Sequence, residues 1–185
     1  MERVRSIGFL NMEEGMKMKA YNIIFPVWFI WLLPPVVLIA LTGNFIIDSL
    51  VILIAFRIFK VTELTHLSLK ELYTKSILQV WGFGFLADFI GVLLLIAVSF
   101  LPIPNPVAGA VFFNPFTNLL GFLIILAGIG LASFFIYLFN FHFTFKKIIE
   151  EKALRGKVSL TLAMVTAPWT FLLPTQWYYQ WFNWG

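Results

Sequence analysis

Apolar runs long enough to cross a bilayer alternate with three short segments that hold all 13 Lys and Arg residues. A helix needs roughly 20 apolar residues, at about 1.5 Å rise each, to cross a hydrocarbon core of about 30 Å. That alternation dictates a membrane protein before any motif is considered. Composition agrees, because 61% of residues are hydrophobic and only 12% charged, whereas about a quarter are charged in a soluble domain. To stay soluble, a chain this small would have to hide every run in one core, and it lacks the interior volume.

The expected fold class is all-α, a polytopic transmembrane bundle forming a single integral membrane domain over residues 1–185. Five spans are expected, at about 23–41, 45–59, 77–101, 119–141 and 158–176. The "TGN" at 42–44 is a turn signal and would make the first two a tight hairpin. In the alternative, Pro34 and Pro35 break the first span, which continues as a re-entrant piece. Kinks are expected at Pro26, Pro34, Pro35, Pro168 and Pro174.

Orientation follows from the cations. Arg3, Arg5, Lys17 and Lys19 precede the first span; Arg57, Lys60, Lys70 and Lys75 lie between the second and third; Lys146, Lys147, Lys152, Arg155 and Lys157 lie between the fourth and fifth. Five spans place all three groups on one face, so the chain is read as N-in and C-out, in a bacterial cytoplasmic membrane. A single crossing over 23–59 would carry the two later groups to the other side of an N-in chain. The net charge of +4 sits beside apolar spans, which points to anionic lipid headgroups and not to nucleic acid. With no cysteine, disulfides and thiolate chemistry are excluded.

Residues 1–20 mix apolar and charged side chains and read as a cytoplasmic amphipathic helix or a frayed tail. "VTELTHLSLKELYTKS" reads as a surface helix or an extension of the second span, with His66 solvated or, alternatively, a pH sensor or ligand. Pro102, Pro104, Pro106 and Pro115 stiffen an uncharged loop expected to dip into the interface or cap the bundle. Trp177, Tyr178, Tyr179, Trp181 and Trp184 read as an interfacial anchor, the alternative being a carbohydrate or lipid platform. "FNFHFTFKK", with His142, reads as an aromatic belt at the opposite interface followed by snorkelling lysines.

No phosphate loop, zinc-binding His pair, dinucleotide fingerprint or nucleophile elbow is present. Catalytic residues, cofactors and metal clusters are therefore not expected. The informative residues are the acids: seven of nine Asp and Glu accompany the cations, and only Asp48 and Asp88 fall within spans. An aspartate near a helix centre costs about 2.5–3.5 kcal/mol to insert, so it faces a bundle interior, a wet cavity or a partner. Asp48 is nine residues from Arg57 and Asp88 thirteen from Lys75, about 14 and 20 Å along a helix. The two carboxylates are thus expected to approach each other in the outer half of the membrane. Asn44 and Ser49 are expected to assist, Asn44 by donating to Asp48 four residues on.

Gly84, Ala87 and Gly91 make a smooth surface beside Asp88 where another helix can pack closely, and Gly128 and Ala132 are also expected to serve helix packing. With no intramembrane Lys, Arg or His to pair with the acids, low dielectric and mutual repulsion favour a shared proton or bound cation. The structural alternative has each Asp bonding across helices, or Asp48 stabilising the start of the second span. The leading functional expectation is an oligomeric channel or transporter with a cation or proton site. Its rival is a non-catalytic membrane subunit that binds and regulates a partner protein. A third reading, an intramembrane lipid-modifying enzyme, would use the Asp pair as acid and base.

Overall fold

A computed structural model describes residues 34–175 and 177. Six α-helices organise them: α1 (Pro34–Ile58), α2 (Val61–Thr65), α3 (Leu69–Ser99), α4 (Asn105–Phe112), α5 (Leu119–Phe139) and α6 (Lys152–Val165). Helix α5 continues through a π-helical turn, Asn140–Thr144, and a 3₁₀ turn, Phe145–Lys147; another 3₁₀ turn, Trp169–Leu172, follows α6. Among the described residues there is no strand. Within the described residues, three stretches are long and apolar enough to cross a membrane: Val37–Ile58, Leu69–Ser99 and Leu119–Lys147.

The expected hairpin between residues 41 and 45 is replaced by one helix, because Thr42, Gly43 and Asn44 are all helical within α1. The Thr42 hydroxyl turns back to the Leu38 carbonyl at 2.9 Å. A lone glycine inside a helix costs only about 1 kcal/mol relative to alanine, and a 25-residue apolar helix absorbs it. The turn composition was real but the tertiary context overrode it. Pro34 and Pro35 lie in the first described turn of α1, not at a kink between spans. Residues 1–33, including Pro26, the amphipathic segment at 1–20 and the start of the first expected span, lie outside the described residues. With residues 42–44 helical, the N-in expectation rests on that segment.

The fifth expected span, 158–176, is broken. Helix α6 ends at Val165 and a 3₁₀ turn resumes at Trp169. Pro168 explains the break, since it has no N–H to give the ladder and disfavours helical geometry at Ala167. The segment still runs the length of the bundle. It starts among the cations at Lys152 and ends at Thr175, whose N–H donates to the Phe113 carbonyl at 2.8 Å and whose hydroxyl reaches the Phe112 carbonyl at 3.0 Å.

Between the first two crossings, the expected surface helix splits. His66 turns the chain with φ 55, and Ser68 restarts it through a reciprocal cap: the Glu71 N–H donates to Ser68 Oγ at 3.2 Å, and the Ser68 N–H to Glu71 Oε2 at 2.9 Å. At the opposite end the proline-rich loop contains α4, which caps the bundle. Its Val107, Ala110 and Val111 are buried, and a Cβ at Gly121 of α5 would overlap the Ala110 methyl.

Two apolar clusters fill the interior. Ile52, Phe56, Leu72, Phe145 and Val158 pack near the end rich in Lys and Arg; Val92, Leu95, Ile125 and Phe171 pack near the proline-rich end. Helices α3 and α5 approach closely where side chains are small: a Cβ at Gly91 would sit 2.9 Å from the Gly128 carbonyl and 3.1 Å from the Ala132 methyl. Ala87 and Ala132 are fully buried in the same bundle. Helix α1, by contrast, leaves Leu38, Ile39, Ile46, Leu50 and Ile54 exposed, a surface suited to hydrocarbon.

Candidate functional site

Three elements meet where the two apolar clusters part. Helix α1 supplies Asn44, Ile47 and Asp48, α3 supplies Asp88, and the broken end of α6 supplies residues 165–170; together they line a cavity of about 180 Å³. Asp48 and Asp88 are both buried, at 3% and 5% exposure. The small side of α3 makes this approach feasible. A Cβ at Gly84 would lie 3.4 Å from Asp48 Oδ2, so the Asp48 carboxylate rests on Gly84, one helical turn from Asp88.

The polar partners differ in kind. Asn44 Nδ2 donates to Asp88 Oδ2 at 3.3 Å, while Asp88 Oδ1 is buried without a hydrogen-bond partner among the described residues. The Thr166 hydroxyl, which lines the same cavity as Asp48, donates to the Leu162 carbonyl at 2.9 Å. Among the described residues, no Lys, Arg or His lines the cavity. An unpartnered carboxylate oxygen in such a place demands a proton, water or a cation.

Of the four residues expected to form the site, Asn44, Asp48 and Asp88 are brought together. Asn44 serves Asp88 across the helix contact instead of its own neighbour Asp48. Ser49 is turned away: its hydroxyl donates to the Phe45 carbonyl at 2.6 Å and lies 3.0 Å from the Tyr73 hydroxyl. One residue along a helix is about 100° around it, which is enough to move Ser49 out of the cavity. Asp48 is ten residues from Ile58 and eleven from Val37, so it lies within α1 and not at a helix start, because residues 42–44 are helical.

The packing residues fall on two contacts. Gly91, Gly128 and Ala132 form the close α3–α5 approach, with Ala87 buried beside it, and Gly84 opens room for Asp48 against α1. Trp177 is exposed; Tyr178, Tyr179, Trp181 and Trp184 lie outside the described residues.

Sequence reasoning missed Thr166, because an unbroken fifth helix gave no reason to single it out. Pro168 two residues later was the available signal. It also missed a second polar locus near the Lys- and Arg-rich end. Asn140, Thr144, Arg155 and Ser159 are buried, and Asn140 Oδ1, Thr144 Oγ1, Arg155 Nε and Ser159 Oγ have no partner among the described residues. The Arg155 guanidinium sits 4.4 Å from the centroid of the Phe141 ring, not in a solvated basic loop. The π-helical turn at Asn140–Thr144 carries this locus, and its run of aromatics had read only as an interfacial belt.

No protein family, curated protein or solved structure matches the chain. Any assignment of activity therefore rests on the residues themselves.

Proposed function

We propose that this chain is a small transport protein of the bacterial cytoplasmic membrane, acting as an oligomer, in which Asp48 and Asp88 handle a cation or proton midway across the bilayer. The observation that carries this reading is Asp88 Oδ1, buried and, among the described residues, unpartnered in a cavity that also holds Asp48 and no described basic side chain. Keeping two acids at such depth is costly, and a wet site for a mobile positive charge is the function that most directly justifies it. The broken crossing beside them supports the same reading, since irregular backbone at membrane depth occurs where it lines a cavity or is packed in protein. The end bearing Lys60, Lys70, Lys146, Lys147, Lys152 and Lys157 faces the cytoplasm by the positive-inside tendency. With few described spans, the pathway is completed between copies of the chain.

The test is reconstitution in proteoliposomes with a proton-sensitive dye inside and an imposed cation or pH gradient. Flux is expected in the wild type and is lost in Asp48→Asn and Asp88→Asn, each confirmed folded by its elution profile in detergent. Wild-type vesicles that remain tight to protons and to mono- and divalent cations would remove the reading. The second reading, a non-catalytic subunit, draws on the exposed apolar face of α1. It gains if no flux is found while Leu50→Trp or Ile54→Trp abolishes co-purification of another membrane polypeptide.

A further inference from the structure

The last carbonyls of α6 are not all satisfied in the ordinary way. A helix leaves four C=O groups without intrahelical donors. Here Leu162 receives the Thr166 N–H at 2.8 Å, Ala163 receives the Ser133 hydroxyl, and Met164 receives the Trp169 indole N–H at 3.1 Å. The Met164 partner is a substitute, because the residue four along is Pro168, which has no N–H. Val165 is left: the Trp169 N–H that would reach it bonds the Ala167 carbonyl at 2.7 Å instead. The Val165 carbonyl thus takes no bond from any described residue, and Val165 and Thr166 both line the carboxylate cavity.

The electrostatics follow. The C-terminal end of a helix carries roughly half a negative charge, and α6 terminates against two carboxylates. Among the described residues no third acid and no His joins them to make a transition-metal cluster. Every nearby ligand is oxygen: Asp48, the free Oδ1 of Asp88, the Thr166 hydroxyl and the carbonyl end of α6. Oxygen donors from carboxylate, hydroxyl and main chain suit hard cations such as Ca²⁺ and Mg²⁺, with water completing the shell. One divalent ion balances two carboxylates, where a single proton would leave one uncompensated beside the negative end of a helix.

We infer that Asp48, Asp88, Thr166 and the carbonyl end of α6 form a binding site for a divalent hard cation, Ca²⁺ or Mg²⁺, at the break between α6 and the 3₁₀ turn Trp169–Leu172. This rests on the transport reading above and specifies the charge that the site takes. Thr166 offers its hydroxyl oxygen to the ion, its proton being spent on the Leu162 carbonyl.

The experiment uses the full chain in detergent, after chelation and gel filtration. Thermal unfolding is followed while CaCl₂ or MgCl₂ is titrated at ionic strength held constant with choline chloride. A saturable rise in Tm is expected with at least one of the two ions, with one ion per chain by calorimetry. The steeper response of the two identifies the ion. Asp88→Asn abolishes the rise, Thr166→Val weakens the apparent affinity roughly tenfold or more, and Thr166→Ser retains it. Folded wild-type protein showing no saturable response to either ion overturns the inference, as does an unchanged response in Asp88→Asn. If protons still cross the wild-type vesicles in EDTA while no divalent ion binds, the inference falls and the transport reading stands. If a divalent ion binds but no vesicle conducts, the transport reading falls and the cation site remains as a structural one.

Discussion

The side-chain amide of Asn44 on α1 donates to Oδ2 of Asp88 on α3 at 3.3 Å, joining two crossings at the depth where both carry polar groups. That bond satisfies one carboxylate oxygen and leaves the other to the cavity. In a membrane the unfolded reference also finds polar partners, so interhelical bonds measure about 0.6 kcal/mol on average and about 1.7 at most. A double-mutant cycle with Asn44→Leu and Asp88→Leu, read by unfolding in mixed micelles, is expected to give a coupling in that range. A coupling indistinguishable from zero would mean that Asn44 does not hold Asp88.

Gly91 tests how α3 and α5 touch. A methyl there would meet the Gly128 carbonyl at 2.9 Å, and that backbone oxygen cannot swing aside as a side-chain end would. Gly91→Ala is expected to destabilise by about 1–3 kcal/mol. Gly130→Ala, on the same α5 but with nothing within 4 Å, is expected to be neutral or to gain up to about 1 kcal/mol from helix propensity. Equal effects from the two would show that the close approach is not what constrains position 91.

The start of α3 offers a soluble-type test at the membrane edge. Ser68→Ala removes the acceptor for the Glu71 N–H and is expected to cost about 1 kcal/mol. Just before it, His66 holds φ 55, a left-handed conformation that costs most residues about 1–2 kcal/mol. His66→Gly is therefore expected to stabilise by up to that amount, and a loss instead would show that the imidazole makes a contact worth more than its strain.

Membrane character was legible in composition because hydrocarbon tolerates few charges, and two of the three long helices fall where hydropathy placed them. The pair Asp48 and Asp88 was legible for the same reason: an acid in an apolar run has few structural excuses. What misled was local punctuation. "TGN" has turn composition, yet α1 runs through it, since propensity terms near 1 kcal/mol cannot outweigh the backbone bonds a helix secures in an apolar medium. Pro168 was noticed as a kink when it ends the helix, and Thr166 went unseen with it. The Ser68–Glu71 cap was written plainly as S-x-x-E, but a continuous amphipathic pattern hid it. Ser49 illustrates the limit of proximity in sequence, because adjacency to Asp48 says nothing of facing the same way.

Ser159 and Ser76 set up opposite expectations for one chemical change. Both are fully buried. Ser76 Oγ donates to the Leu72 carbonyl at 2.6 Å, whereas Ser159 Oγ has no partner among the described residues. Removing a made bond costs about 1 kcal/mol, and removing an orphaned buried hydroxyl relieves a penalty of about 1–3 kcal/mol. Ser76→Ala is thus expected to lower the unfolding midpoint and Ser159→Ala to raise it. Should Ser159→Ala lower it instead, Ser159 is satisfied by something other than protein. The other buried polar groups without a described partner near the Lys- and Arg-rich end, on Asn140, Thr144 and Arg155, would then be the first to probe for ordered water or an anion, starting with Arg155→Met in the same unfolding assay.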